Sequence, residues 1–299
     1  MKKKIWMFIL WIGLSLISGV VIWQFGRYEI GLGEAVAGAL IAIFLERTGK
    51  SVQDFYDNTD WKASQRKLKR GGFIHDDTII RVSFAYLYRI KVGNKYLLVQ
   101  NARNTRKYQP VGGVYKLYGN ESLELKNRFQ VKDDDKIPID ESSRDDYRLR
   151  LENHFLRAFV KRFDRKAERE RIEDISREFK EELIDSGIVG WKQISYRFCG
   201  RHMSELKFGE HFQIYELLLA DIVELIPTAE QERELRRLME YEAVEYRFAT
   251  WKQIDCLGMD TDAGELYEWI GDHTRKILQE SEGNLMRING VGKIYTVDL

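Results

Sequence analysis

Three glutamates in the stretch REFKEELIDSGI, Arg177 to Ile188, carry the strongest chemical signal in the chain. Glu178, Glu181 and Glu182 recur at i, i+3 and i+4, so on a helix they share one face and hold three carboxylates close together. Such a cluster repels itself unless solvent screens it or a divalent cation, which favours hard oxygen ligands, sits among the three. An ordinary surface helix is the plain alternative, because Arg177 to Glu181 and Glu178 to Glu182 are also common surface spacings. A second signal lies upstream, in NARNTRKYQP. There Arg103, Arg106, Lys107 and Tyr108 precede Gly112 and Gly113, able to reach an anion and to stack a base. A solvated hairpin loop accounts for them equally well. His202 and His211 flank MSELKFGE and fit a local structural role.

The elements that would position these residues need a core, and 299 residues with 44% hydrophobic and 32% charged side chains have room for one large domain or two small ones. The 48 basic and 47 acidic side chains leave a net charge of +1. That balance gives no electrostatic reason to expect DNA or RNA polymers as partners, so any anion site is local. Cys199 and Cys256 are the only cysteines, which excludes a disulfide framework and a CxxC zinc site.

At the N-terminus IWMFILWIGLSLISGVVIWQF runs from Ile5 to Phe25 without a charge. The length suits a membrane span, and no small-residue cleavage site follows it. A second apolar stretch, Ile30 to Leu45, is short for a span and is interrupted by Glu34. With Lys2, Lys3 and Lys4 before the pair and many basic residues after it, the expectation is a two-helix transmembrane hairpin within 1–50, spans at about 5–25 and 30–45, both ends cytoplasmic. Small residues around Gly38, together with Glu34, point to helix association and a homo-oligomer. Residues 51–70 read as a basic linker that can rest on anionic headgroups.

From 71 to 299 the pattern is α/β. TIIRVSFAYLYRI and NKYLLVQN read as two strands around a turn at VGN, and KYQPVGGVYKLYGNE as a further strand-like run. Apolar residues recur at helical spacing from Leu149 to Ile184, so the glutamates belong on a helix. EHFQIYELLLADIVEL reads as a strand, TAEQERELRRLMEYE as a helix, AVEYRFATWKQI as a strand running into a helix, and DAGELYEWIGDHTRKILQES as a last amphipathic helix.

This order of strand, QPVGG, strand and a helix carrying REFKEEL resembles a Nudix domain, whose box reads G-x5-E-x7-R-E-U-x-E-E-x-G-U, with U apolar. The resemblance implies an α+β fold of the α/β/α sandwich type. It implies Glu178, Glu181 and Glu182 as ligands of Mg²⁺ or Mn²⁺, Glu178 also as a base if the chain is a hydrolase, and Arg177 as the partner of the carboxylates. The specific match is confined to Gly113 and Arg177–Glu182. Here 64 positions separate Gly113 from Arg177 (177 minus 113), about 50 more than the box allows, so an insertion at about 120–165 splits it. The first glutamate has no aligned equivalent, and Glu168, Glu170 and Glu121 all remain open. After Glu182 the expected xGU becomes LIDSGI.

A membrane hairpin joined to a split Nudix-like domain resembles the transmembrane Nudix effectors found with cyclic-oligonucleotide synthases in bacterial cyclic-nucleotide-based antiviral (CBASS) systems. That resemblance implies a multi-pass inner-membrane protein with a cytoplasmic receptor domain. The domain would sense a cyclic di- or trinucleotide, and the hairpin would then oligomerise and disrupt the bilayer, causing abortive infection. The split box and unplaced glutamate favour a ligand-binding receptor over an active enzyme. The alternative is a membrane-anchored Nudix hydrolase that cleaves a nucleoside diphosphate derivative with Mg²⁺.

Overall fold

The run TIIRVSFAYLYRI folds as a strand, Ile79–Arg89, whose side chains are buried almost throughout. Its alternation is therefore only partial in sequence: a strand covered on both faces needs apolar residues on both. The structure, a computed structural model, describes residues 2–27, 36, 38–47, 60–101, 107–138, 140–141, 143–241, 243–260, 264–266, 269–278, 285–286 and 288–299. The chain divides into the units Met1–Lys67 and Leu68–Leu299.

Strands of three or more residues in the second unit are β1 (Ile79–Arg89), β2 (Lys95–Gln100), β3 (Lys107–Gln109), β4 (Gly112–Val114), β5 (Arg148–Glu152), β6 (Gln193–His202), β7 (Lys207–Gly209), β8 (Ile214–Leu225), β9 (Tyr246–Thr250) and β10 (Ile294–Asp298). In the larger, mixed sheet β1 lies between β8, which is parallel to it, and β5, which is antiparallel. β4 also pairs with β1, and β6 and β7 pair with β8. A smaller sheet runs β9, β2, β3 and then Trp269–Ile270. Thr228 and Thr250 start the helices Ala229–Leu238 and Trp251–Asp255 with capping boxes closed by Gln231 and Gln253.

Successive side chains of β1 point to opposite faces, and the two faces do different work. The even-numbered residues enter an aromatic core. Phe84 stacks on Phe163 at 4.0 Å and meets Tyr147 edge-on at 5.4 Å, while Tyr88 meets Phe179 at 5.3 Å and Tyr196 at 5.7 Å. Phe163 belongs to the helix Leu156–Arg165, so the extra residues of the split box bury aromatic surface against β1. Their two ends return to one place. Tyr118 N–H donates to the Glu168 carbonyl at 2.8 Å, and Glu170 N–H donates to the Lys116 carbonyl at 2.9 Å.

The last amphipathic helix expected over DAGELYEWIGDHTRKILQES is instead a short strand at Trp269–Ile270 followed by a 3₁₀ helix, Asp272–Ile277. The reason is tertiary. Buried Arg89 donates from Nε to the Ile277 carbonyl at 2.6 Å, and Gly271 N–H donates to the Tyr108 carbonyl at 2.9 Å, so the segment is tied to strands. Within residues 51–70, Asp60–Arg70 is helical.

In the first unit, helix α1 (Lys2–Arg27) and the helical residues 38–47 touch through Trp11 and Phe44, whose rings lie 6.0 Å apart, and Arg47 covers the Trp11 ring at 4.8 Å. Ser15 and Ser18 bond back to the carbonyls of Trp11 and Leu14 at 2.9 Å. Among the described residues no helix is long and apolar enough to cross a membrane. This overturns the two-helix transmembrane hairpin in the expected fold, and with it the multi-pass placement in the inner membrane. What stands is a mixed α/β fold consistent with a Nudix-like domain. Glu34 lies outside the described residues, and a Cβ at Gly38 would meet nothing within 4 Å.

Candidate functional site

The odd-numbered side chains of β1 form the floor of a cavity of about 530 Å³. Ser83 and Ala85 lie in register with Leu218 and Ala220 of β8. Three of these four side chains are small, which gives the cavity its depth.

One wall is built from β4 and the glutamate helix. Gly112 and Gly113 stand beside Leu87 and Tyr86 of β1. Gly112 has φ +147°, and a Cβ there would overlap the Tyr86 carbonyl oxygen. A Cβ on Gly113 would fall inside the Glu178 carboxylate. The glycine pair therefore lets strand and carboxylates touch. Gly112 N–H donates to Glu182 Oε2 at 2.9 Å, and Gln109 Nε2 donates to Glu182 Oε1 at 3.4 Å. Gln109 is itself oriented by Asn101, which donates from Nδ2 at 2.5 Å. Burial pushes the Glu182 carboxyl up to about 8, helped by repulsion from Glu178 and opposed by the Gly112 and Gln109 bonds.

Arg177 organises the remaining acids. Its Nη1 donates to Glu178 Oε1 at 2.5 Å and lies 3.8 Å from Glu181 Oε2. Its Nη2 donates to the Val114 carbonyl at 2.9 Å and to Glu170 Oε2 at 3.3 Å. Glu170 is 2% exposed and also accepts from the Tyr86 hydroxyl at 3.2 Å; burial raises its pKa while Arg177 opposes the rise. Of the three acids left open for the missing first glutamate, Glu170 alone reaches the arginine. Glu121 is bound elsewhere, by Arg162 at 2.8 and 2.7 Å, and the Glu168 carboxylate accepts from Asn120 N–H at 3.4 Å. Glu170 precedes Arg177 by seven positions, one fewer than in the box.

The glutamates sit on a helix, as their spacing requires, but its second half is a π segment, Lys180–Ile184, closed by Asp185 N–H on the Lys180 carbonyl at 2.9 Å. A π segment carries an extra residue per turn and recurs at functional sites. It accounts for part of the displacement of the box's last glycine to Gly187, whose φ is +74°.

Gly112, Gly113, Arg177, Glu178, Glu181 and Glu182 thus come together around one cavity. Lys107 and Tyr108 do not line it. Tyr108 is buried, donates from its hydroxyl to the Val244 carbonyl at 2.9 Å and lies under the Arg247 guanidinium at 5.2 Å, whereas Lys107 lies over Trp269 at 5.8 Å. Arg103 and Arg106 lie outside the described residues. His202 has its pKa lowered to about 4 by burial and by the charge of Lys276, and the His211 ring packs on Phe212 at 4.5 Å. The donor types of the glutamate wall suit Mg²⁺, but their placement does not: among the described residues no three His, Cys, Asp or Glu side chains are gathered closely enough to hold an ion.

Several cavity residues carry no signal in the sequence. Gln109 stands inside the quoted QPVGG, yet nothing in that motif marks it as a carboxylate donor. Arg81 lies in a run that reads only as strand. His273 and Lys276 fall in DHTRKI, where an amphipathic helix is the natural expectation. Only the fold brings them into the same cavity as the glutamates.

A family model, the SMODS-associated NUDIX domain, matches residues 79–278. No curated protein and no solved structure matches the chain.

Proposed function

The chain belongs to the SMODS-associated NUDIX domain family, and from that premise we propose that its cavity is the receptor site of an anti-phage signalling effector, taking a cyclic di- or trinucleotide. The supporting observation is how the acids are held. Glu178 is engaged by Arg177, and Glu182 by the Gly112 N–H. A site that keeps a glycine-backed cavity while tying up its carboxylates suits a retained ligand better than a turned-over substrate. The membrane-disrupting step implied by the resemblance has no spanning helix among the described residues to carry it and forms no part of this proposal.

Thermal unfolding of the full chain with cyclic di- and trinucleotides tests the reading, because a ligand that binds only the folded state raises stability by about 2.7 kcal/mol at a hundred times its Kd. The expected result is a rise in Tm with at least one cyclic nucleotide, with or without Mg²⁺, and intact ligand recovered afterwards. No rise with any of them rejects it.

A second reading, hydrolysis of a nucleoside diphosphate derivative, is favoured by one observation: Glu182 lines the cavity, held by the Gly112 N–H, where loss of water raises its carboxyl to about 8 and suits it to proton transfer at neutral pH. Turnover of roughly 1–10³ per second that disappears in Glu182→Gln would establish it.

A further inference from the structure

Four cations line the cavity, and three of them are matched. Arg81 donates from Nε to Asp134 Oδ2 at 2.7 Å and from Nη1 to Glu216 Oε1 at 2.8 Å. Arg148 stands 3.5 Å from Asp146 Oδ2, and Arg177 holds Glu178 and Glu170. Lys276 is different. Its ammonium donates to the Leu218 carbonyl at 3.3 Å, and no carboxylate among the described residues forms an ion pair with it.

Position sharpens the contrast. Lys276 hangs over Leu218 of β8, which is paired with Ser83 of β1, whereas Gly113, beneath Glu178, is paired with Tyr86 on the other side of β1. The two places are two strand spacings across and three residues along, about 14 Å apart at the backbone. A single phosphate cannot touch both. Between them, among the described residues, the floor carries Ser83, Ala85, Leu218 and Ala220. One end of the cavity is thus acidic, the other cationic, and an anionic group entering it is turned by repulsion towards Lys276. His273, an exposed residue, lines the same end; loss of water around its ring and the Lys276 charge lower its pKa to about 4, so at neutral pH the ring is uncharged and keeps one N–H to donate. Loss of water around the half-buried ammonium and the nearby Lys207 charge lower Lys276 to about 8, the expected direction for an ammonium without a counterion.

We propose that Lys276 is the anion anchor of this cavity: its ammonium takes a phosphate oxygen of the ligand, with the His273 ring beside it, while hydrogen-bond donors of the same ligand turn to Glu178 and Glu182. The assignment rests on the reading that the cavity takes a phosphate-bearing nucleotide, and it adds which end holds the phosphate.

The test is calorimetric titration of the full chain with inorganic pyrophosphate and, separately, with cyclic di-AMP and cyclic di-GMP, for wild type, Lys276→Met and Lys276→Arg. A charge-assisted hydrogen bond predicts that Lys276→Met weakens binding of any of these probes by about tenfold to a hundredfold, whereas Lys276→Arg, which keeps the charge, stays within a few-fold of wild type. Because Lys276 has no carboxylate to leave behind, the melting temperature of unliganded Lys276→Met is expected to be no lower than that of wild type. Equal affinities in wild type and Lys276→Met overturn the anchor and leave the cavity reading intact. Pyrophosphate binding that depends on Lys276, with no binding of either cyclic dinucleotide, keeps the anchor and counts against the cyclic-nucleotide reading. Wild type that binds none of the probes, or Lys276→Met that loses its cooperative melt, overturns the anchor.

Discussion

Gly112 N–H donates to Glu182 Oε2 across 2.9 Å, joining a strand position that must be glycine to a carboxyl that burial keeps largely protonated at neutral pH. The linkage has a definite sign. Glu182 titrates near 4.5 in the unfolded chain and near 8 in the fold, so between those values the native state binds the extra proton and stability falls as pH rises. The slope from this one group is at most about 1.4 kcal/mol per pH unit. Glu182→Gln removes it. Urea midpoints at pH 5 and pH 8 are therefore expected to fall further for wild type than for the variant, and parallel falls would remove Glu182 as the cause.

Arg177 and Glu170 form the second joint. Glu170→Ala leaves the Tyr86 hydroxyl without its acceptor and takes one of the carboxylates from the Arg177 guanidinium, which keeps Glu178 and the Val114 carbonyl, and costs about 2–4 kcal/mol. Glu168→Ala is the control. Its carboxylate makes one long bond to Asn120 N–H, while its backbone carbonyl, which closes the insertion, is untouched, so the change is expected within about 0.5 kcal/mol. Denaturant titration of both variants separates the two acids.

Glu121 anchors the insertion. With 0% exposure it accepts from Arg162 twice, from the Tyr147 hydroxyl at 3.1 Å and from Glu168 N–H at 3.1 Å. Glu121→Ala strands all of these donors and is expected to cost about 3–5 kcal/mol. Because Glu168 N–H lies two residues from Glu170, ligand affinity should fall with it. Full affinity for a ligand of the wild-type chain would show that the splice does not set the site.

The strands β1, β2, β8 and β9 and the helices after Thr228 and Thr250 are legible in sequence because apolar patterning and local capping decide them. Glu178, Glu181 and Glu182 are legible as one helical face for the same reason, and QPVGG marks the glycines that must lie against them. What the sequence hides is set at long range. Glu170 is chosen by a hydrogen bond between its own N–H and the Lys116 carbonyl, across an insertion whose two ends no spacing rule relates. His273 and Lys276 are placed by Arg89 and by the strand at Trp269–Ile270, which override a helical pattern. At the N-terminus, apolar length read as a span, whereas among the described residues no helix is long and apolar enough to cross a membrane.

The two glycines make opposite predictions, although each sits against a neighbour that a methyl group would strike. At Gly112 the obstacle is backbone, the Tyr86 carbonyl, and φ is +147°, a region L side chains rarely enter. Neither can relax without breaking the pairing of β4 with β1. Gly112→Ala is therefore expected to lower stability by about 2–4 kcal/mol, and to weaken the Glu182 bond with it. At Gly113 the obstacle is the free end of a side chain, the Glu178 carboxylate, and the backbone carries no positive φ. Glu178 can swing away at the cost of its Arg177 bond, which places the stability loss of Gly113→Ala nearer about 1 kcal/mol. The displaced carboxylate then moves into the cavity, so binding suffers more than folding does. Melting curves and ligand titrations of both variants check the pair: Gly112→Ala should fail mainly in stability, Gly113→Ala mainly in affinity, and a Gly113→Ala chain that binds as wild type does would show that Glu178 does not contact the ligand.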